Sequence, residues 1–350
     1  MTIKTTCIGA YPKPEYVKLP DWFNHPDGPD TADPTALWEK AMADLGPDAE
    51  AVIARGVAEA IADQIACGID IPTDGEIARE NYIHYHCRHL RGFDFAHLTA
   101  KKVRGGTYQA RLPTIVGPVS IRDQFLVKDW RCAQESSDRP VKITMPGPMT
   151  ISDTNSDAFY NDPAKLGHDI AEALNVEVLA LAEAGCQHIQ IDEPLFARDP
   201  QAAIKFGFDN LEHAFHRCPR RVQRTVHMCC GYPDKLDRND YPKADPDSYF
   251  QIADAIEQSC IDAVSFEDAH RHNDLSLLEK LTTTKVIFGV VAIASSQVET
   301  VDEIRDRLSL ALNHIDADRL IAAPDCGLGL LGRELAMAKM RNLSAAAHSL

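Results

Sequence analysis

Eight times along this 350-residue chain a short run rich in Val and Ile gives way to a polar or Gly/Pro turn and then to a stretch with helical periodicity. Short apolar runs of this kind suit strands covered on both faces, and the helical stretches between them supply the crossovers that parallel strands need. All-helical and purely antiparallel folds do not fit the pattern. The runs are Thr5–Gly9, Ile69–Thr73, Val141–Met145, His188–Asp192, Arg221–His227, Asp262–Phe266, Val286–Val291 and Leu320–Ala323. The clearest helical stretches are Glu50–Ala66, Pro163–Ala184, Pro246–Ser259, Thr300–Asn313 and Glu334–Leu343. Eight such units predict an α/β fold, a (β/α)8 TIM barrel forming a single domain over residues 1–350.

Two segments interrupt the alternation. Pro12–Pro47 is rich in Pro, Asp and Trp and lacks a clean period, which predicts a long arm after strand 1. Tyr82–Arg139 is a second excursion, an extension between strands 2 and 3 whose LPTIVGPVSI run predicts a β-hairpin outside the barrel. Pro219–Arg221 and Asp234–Asp247 read as exposed loop.

Composition narrows the function. With 36 Lys and Arg against 52 Asp and Glu the formal net charge is −16, which argues against nucleic acid or an anionic membrane as partner. No apolar run approaches the roughly 20 residues of a membrane span, and the N-terminus lacks a signal-peptide core, so a cytoplasmic protein is expected. The ten cysteines are then expected as reduced thiols, some buried and some ligands.

In an α/β barrel the reactive groups sit at the C-terminal ends of strands. RVQRTVHMCC closes on His227 and Cys229, DAVSFED on Glu267, and RLIAAPDCGLG on Cys326. Thiolate and imidazole with one carboxylate form a zinc donor set, and residues i and i+2 of a strand face the same side, so His227 and Cys229 can share one ion. Cys230 then projects to the opposite face and has a structural role. IQIDEP places Asp192 and Glu193 at another strand end and TDGE places Asp74 and Glu76 at a further one, where carboxylates meet cations, polar substrate groups or helix N-termini. The histidines of YIHYHCRH (His84, His86, His89) and DAHRHND (His270, His272) are expected on loop or helix surface.

These motifs together resemble the C-terminal catalytic half of cobalamin-independent methionine synthase, in the superfamily that also holds uroporphyrinogen decarboxylase. CIGAYP resembles the family's I-G-S-F-P, TDGE its H-G-E, TMPGPMTI its T-G-P-V-T-I, and IQIDEP is the same string. VHMCC, AVSFE and PDCGL resemble its zinc-binding segments in order. The resemblance implies that His227, Cys229, Glu267 and Cys326 bind a catalytic Zn2+. It implies that Ile8, Gly9, Glu76 and Asp192 bind the substrate, with Glu76 and Asp192 holding the amino group of a homocysteine-like thiol. A metal-bound thiol is favoured as thiolate near neutral pH, where a free thiol of pKa about 8.5 is mostly protonated.

Three departures bear on the substrates. The family's full-length members carry a further N-terminal half that helps bind folate, and its absence here leads to the expectation that the folate platform is missing. Ala10 stands where the family has a Ser that contacts the amino-acid carboxylate. Ala292 and Ala294 stand where it has an Asp and a proton-delivering His. Without a general acid a neutral amine is a poor leaving group, whereas a thioether from a sulfonium, or a cobalt(I) corrinoid, leaves unprotonated. The expected function is a zinc-dependent methyltransferase acting on a thiol (homocysteine or similar) with a donor other than methyltetrahydrofolate, and methylcobalamin or a corrinoid protein is among the donors and partners considered. A zinc-dependent C–S lyase or alkyltransferase on another thiol is the alternative, and a barrel with purely structural zinc is the reading from a different class.

Overall fold

Strands form where the apolar runs lie, and the register between them decides which side chains meet. The structure, a computed structural model, describes residues 2–24, 33–103, 108–232, 235–238 and 241–350. The strands are β1 (Lys4–Thr5), β2 (Leu90–Val103), β3 (Tyr108–Ile121), β4 (Lys142–Pro146), β5 (Ser156–Asp157), β6 (His188–Asp192), β7 (Gln223–Met228), β8 (Ala263–Phe266), β9 (Lys285–Val291) and β10 (Leu320–Pro324). Seven of them make one parallel sheet in the order β1-β10-β9-β8-β7-β6-β4. The sheet curls. Parallel bridges Thr6↔Ile71 and Thr73↔Lys142 carry the segment 71–73 between its two outer strands.

The expected second strand, Ile69–Thr73, is reduced to those two bridges. Pro72 has no N–H to donate, so a continuous ladder cannot run through it. The Ile71 N–H reaches the Thr5 carbonyl at 3.0 Å and the Lys142 N–H reaches the Pro72 carbonyl at 2.9 Å, which keeps the segment in place without making it a regular strand. The first strand is likewise shorter than expected, ending at Thr5.

Helices follow the expected stretches closely. Pro163–Ala184 begins on an Asp162 cap that accepts from the Ala164 and Lys165 N–H groups, and it ends on left-handed Gly185. Thr300 and Glu303 form a capping box ahead of Val301–Ala311. The expected arm Pro12–Pro47 is not loop throughout: residues 25–32 lie outside the described residues, and Asp33–Leu45 is helical. Pro34 suits a first helical turn, and the Ala, Leu, Glu, Lys and Met that follow are good helix formers, which outweighs the weak period. The excursion after residue 82 contains a long antiparallel hairpin, β2 with β3, outside the parallel sheet and extended by β5.

Alternation along the strands separates the two faces of the sheet. Val264, Val286, Phe288, Leu320 and Ala322 join the main core, whereas Ala263, Ile287, Ile321 and Ala323 form a small second cluster with Ile8 on the other face. On that second face, at the C-terminal ends, the register pairs Asp192 with His227 and His227 with Ser265. No helix among the described residues is long and apolar enough to cross a membrane.

Candidate active site

The cross-strand register brings His227 between Asp192 and Ser265, and hydrogen bonding then fixes its ring. His227 Nδ1 lies 3.0 Å from Ser265 Oγ, which directs Nε2 toward Cys326 Sγ at 3.4 Å. The ligand atoms of His227, Cys229 and Cys326 all lie within 4.8 Å of one another. Three of the four metal ligands expected from sequence are therefore gathered at one point, from the ends of β7 and β10. Glu267, just past β8, is outside that tight set, though close enough for the Cys229 charge to act on its carboxyl. Cys230 faces the core as expected, its thiol donating to Tyr249 Oη at 3.0 Å. All ten cysteines are free.

The electrostatics of this cluster are strained. The Cys326 contact and the His227 imidazole draw the Cys229 thiol well below the ordinary thiol range, and the same contact pushes Cys326 well above it. Burial, then the negative charge of Cys229, pushes the Glu267 carboxyl well above its usual range. Two thiols and a carboxyl packed this closely cannot all ionise without a cation to compensate them.

The other carboxylates separate by role. Burial raises Asp192 to about 7, His227 pulling it down and Glu76 pushing it up, while Gln190 donates to Asp192 Oδ1 at 2.7 Å and to the Ile8 carbonyl at 2.9 Å. Glu76 lies in a left-handed turn with Gly75, at φ 55° and 68°, and accepts from Thr144 Oγ1 at 2.8 Å beside Arg79 at 3.3 Å. Left-handed backbone at a residue with a Cβ is a local strain that the buried contacts must hold. Gly9 makes room for this side chain, since a Cβ there would stand 2.6 Å from Glu76 Oε1.

Glu193 turns away into a structural role. Its Oε1 accepts from the Met149 N–H at 2.8 Å, and its Oε2 accepts from the Thr150 N–H at 3.0 Å and hydroxyl at 2.7 Å, at the start of helix Pro148–Asp153. Glu193→Ala should lower unfolding stability by about 3 kcal/mol, because two buried N–H donors lose their acceptor. A denaturant midpoint within experimental error of the parent would overturn this role.

Ile8, Gly9, Glu76, Asp192, His227, Cys229 and Cys326 all border one cavity of about 130 Å³. Its walls include residues that the sequence did not single out. Trp22 packs at a tilt against Phe23, Tyr82 and Tyr232 at centroid distances of 4.7, 5.9 and 6.3 Å, making an aromatic rim. Leu112 comes from the hairpin. Arg198 is the only Lys or Arg among the described lining residues, and its charge helps lower Cys229. Ser265 alone carried a signal, lying one strand across from His227 and two residues before Glu267; the aromatic rim and Arg198 come from turns and loops that only folding brings together.

The histidine expectations need correction. His84 and His86 are buried, not on a surface: His84 Nδ1 contacts Thr35 Oγ1 at 2.7 Å and His86 Nδ1 contacts the Tyr82 carbonyl at 2.8 Å. Burial lowers His84 to about 4, so it is neutral near pH 7. His89 is partly buried, its ring stacked on Phe125 at 3.8 Å. His270 is also mostly enclosed, with Nδ1 2.6 Å from Asp325 and Nε2 accepting from the Ala294 N–H at 3.0 Å. His272 alone keeps an exposed ring. A short helix packed against the hairpin, and a loop folded over the Asp325 carboxylate, enclose what local polarity marks as surface.

Residues 25–349 match the family model described as the catalytic domain of cobalamin-independent synthase. The chain belongs to this family. It is 30% identical to a B12-independent methionine synthase from Shewanella sp. W3-18-1, solved in complex with selenomethionine, with a TM-score of 0.86 over 99% of this chain and 97% of that one. It is 27% identical to a methionine synthase of Thermococcus kodakarensis, over 97% of this chain and 91% of the relative. With a methionine synthase of Saccharolobus solfataricus it shares 26% identity, over 97% and 92%. Membership in a family described as cobalamin-independent runs against the methylcobalamin or corrinoid-protein donor weighed from sequence, and that donor is set aside.

Proposed function

We propose that this chain is a zinc-dependent thiol methyltransferase, making methionine or a close thioether from homocysteine or a similar acceptor and a donor other than methyltetrahydrofolate. The observation that carries the reading is the convergence of His227, Cys229 and Cys326 on one point of a cavity that Asp192 and Glu76 also line. The donor set suits zinc: two thiols and an imidazole, a carboxyl close by, and buried charge that calls for a cation. His227, Cys229, Cys326 and Glu267 would hold the ion. When bound, zinc supplies Lewis acidity that keeps a coordinated thiol ionised at neutral pH. Ligands that open onto a cavity favour this catalytic role over a purely structural metal, whose site is closed by its own four ligands.

The chain's own groups then place the acceptor. Asp192 and Glu76 receive its ammonium. Arg198 offers a charged partner for its carboxylate, the group that Ala10 cannot hydrogen-bond through a side chain. The aromatic rim of Trp22, Phe23, Tyr82 and Tyr232 excludes water from the reacting sulfur. We read the segment 71–73 as the eighth strand of a (β/α)8 barrel in a single catalytic domain, which sets every one of these groups at one mouth.

Acceptor binding tests the assignment. Asp192→Asn should weaken acceptor affinity by about tenfold to a hundredfold, the equivalent of roughly 1.5–3 kcal/mol for a lost charge-assisted hydrogen bond, while metal content stays at the parent level. Calorimetric titration with homocysteine measures the first quantity and metal analysis the second. Unchanged affinity would return Asp192 to a structural role.

A further inference from the structure

Away from the cavity, the helix Pro163–Ala184 packs beside the helix Phe208–Ala214. These two helices precede β6 and β7, the strands that carry Asp192 and His227. On their shared outer surface His168 and Glu172, four residues apart and so on one helical face, meet His213 from the other helix. The ligand atoms of the three lie within 4.8 Å of one another. His213 Nε2 is 3.6 Å from Glu172 Oε1, and the rings of His168 and His213 stack at 4.3 Å with 28° between their planes. Two donors on a tetrahedral ion with bonds of 2.0–2.2 Å stand about 3.4 Å apart, so small side-chain rotations would complete the set.

We propose that His168, Glu172 and His213 form a second metal site, for a divalent transition cation, that clamps these two helices together. The backbones are already held at the required distance on both sides of the cluster. At one side Gly167 lets the helices touch, since a Cβ there would stand 2.3 Å from Asn210 Nδ2. At the other, Asn175 Nδ2 donates to the Ala214 carbonyl at 2.9 Å and the His216 carbonyl at 2.8 Å. A donor set positioned by rigid elements loses little entropy when an ion arrives. No ring nitrogen of His168 or His213 makes a hydrogen bond among the described residues, their nearest carboxylate contacts being Asp169 at 3.7 Å and Glu172 at 3.6 Å. An outer partner is also present: Asp169 Oδ1 lies 3.7 Å from His168 Nδ1, and its Oδ2 accepts from the Tyr160 hydroxyl at 2.6 Å. Two imidazoles and one carboxylate suit zinc, nickel, cobalt or copper better than calcium or magnesium. His168 and Glu172 are exposed and His213 is a third exposed, so an ion enters directly from solvent.

Cobalt(II) tests this in the full chain. Thiolate ligation gives an intense near-ultraviolet charge-transfer band, whereas a nitrogen and oxygen site gives only weak visible bands, so the two sites report separately. The stripped parent chain should take up one equivalent that shows only the weak bands, besides any that shows charge transfer, and the weak-band equivalent should raise Tm. His168→Ala with His213→Ala should weaken that equivalent by more than the roughly 10–100-fold that loss of an outer-sphere partner costs, remove the Tm rise, and leave activity unchanged. Glu172→Gln, which keeps the side-chain shape, should weaken it as well. A parent chain without the weak-band equivalent, or a double variant that keeps it at parent affinity, overturns the proposal. The charge-transfer band reports on Cys229 and Cys326 alone, so failure of one site leaves the other standing.

Discussion

Cys326→Ser and Cys229→Ser should each leave a folded chain that no longer retains zinc at the cavity and has lost at least about a thousandfold in methyl transfer. The activity loss follows from several kcal/mol of charge stabilisation that a Lewis acid supplies to the reacting sulfur. The fold should survive because the remaining ligands sit on separate strands, β7 and β10, whose pairing does not involve the metal. Metal analysis after chelator dialysis, far-ultraviolet circular dichroism and thiol methylation together decide the matter. If both variants keep stoichiometric zinc at the cavity and full turnover, the ligand assignment is wrong. X-ray absorption of the zinc with and without acceptor adds a second criterion: a catalytic site gains a sulfur neighbour, and a structural one does not.

Methyltetrahydrofolate supplied to this chain alone with homocysteine should give negligible methionine. Release of the folate amine needs a proton, and a positioned general acid contributes about 10²–10⁴-fold in rate. Ala292 and Ala294 have no proton to give, and their backbone N–H groups are committed to Glu299 Oε1 at 2.8 Å and His270 Nε2 at 3.0 Å. His270 does not replace the acid, since its Nε2 accepts from Ala294 while its Nδ1 faces Asp325, which leaves the ring hydrogen on the far nitrogen. With the corrinoid donor set aside, a sulfonium compound is the donor class whose thioether leaves without protonation. Side-by-side assays with methyltetrahydrofolate and with sulfonium donors, read by mass spectrometry, test the point. Efficient methionine formation from the folate would sink the reading of the two alanines.

The positions of most strands and their chemistry-bearing ends were legible because both depend on short-range pattern. An apolar run of four to seven residues has few alternatives to a buried strand, and a His-x-Cys pair at its end puts both groups on one side whatever the neighbours do. His227, Cys229 and Cys326 could therefore be named before the fold was known, and they meet. The limits are equally physical. Pro72 reduces the second expected strand to two bridges, because one missing N–H matters more to a ladder than the surrounding apolar residues. His84 and His86 look like surface polarity until the helix Tyr82–Cys87 packs into the molecule and gives each ring a partner.

The amino-acid sequence by itself determined the α/β class and named His227, Cys229 and Cys326, which converge at the cavity, since both follow from residue chemistry and from spacings of a few positions. Only the tertiary structure decided which carboxylate faces the cavity and which caps a helix. Asp192 and Glu193 are adjacent in sequence, and the pleat sends one toward His227 and the other to the N–H groups of Met149 and Thr150. The same holds for Arg198, for the aromatic rim and for the pairing of His168 with His213, because each rests on contacts between segments that no local period connects.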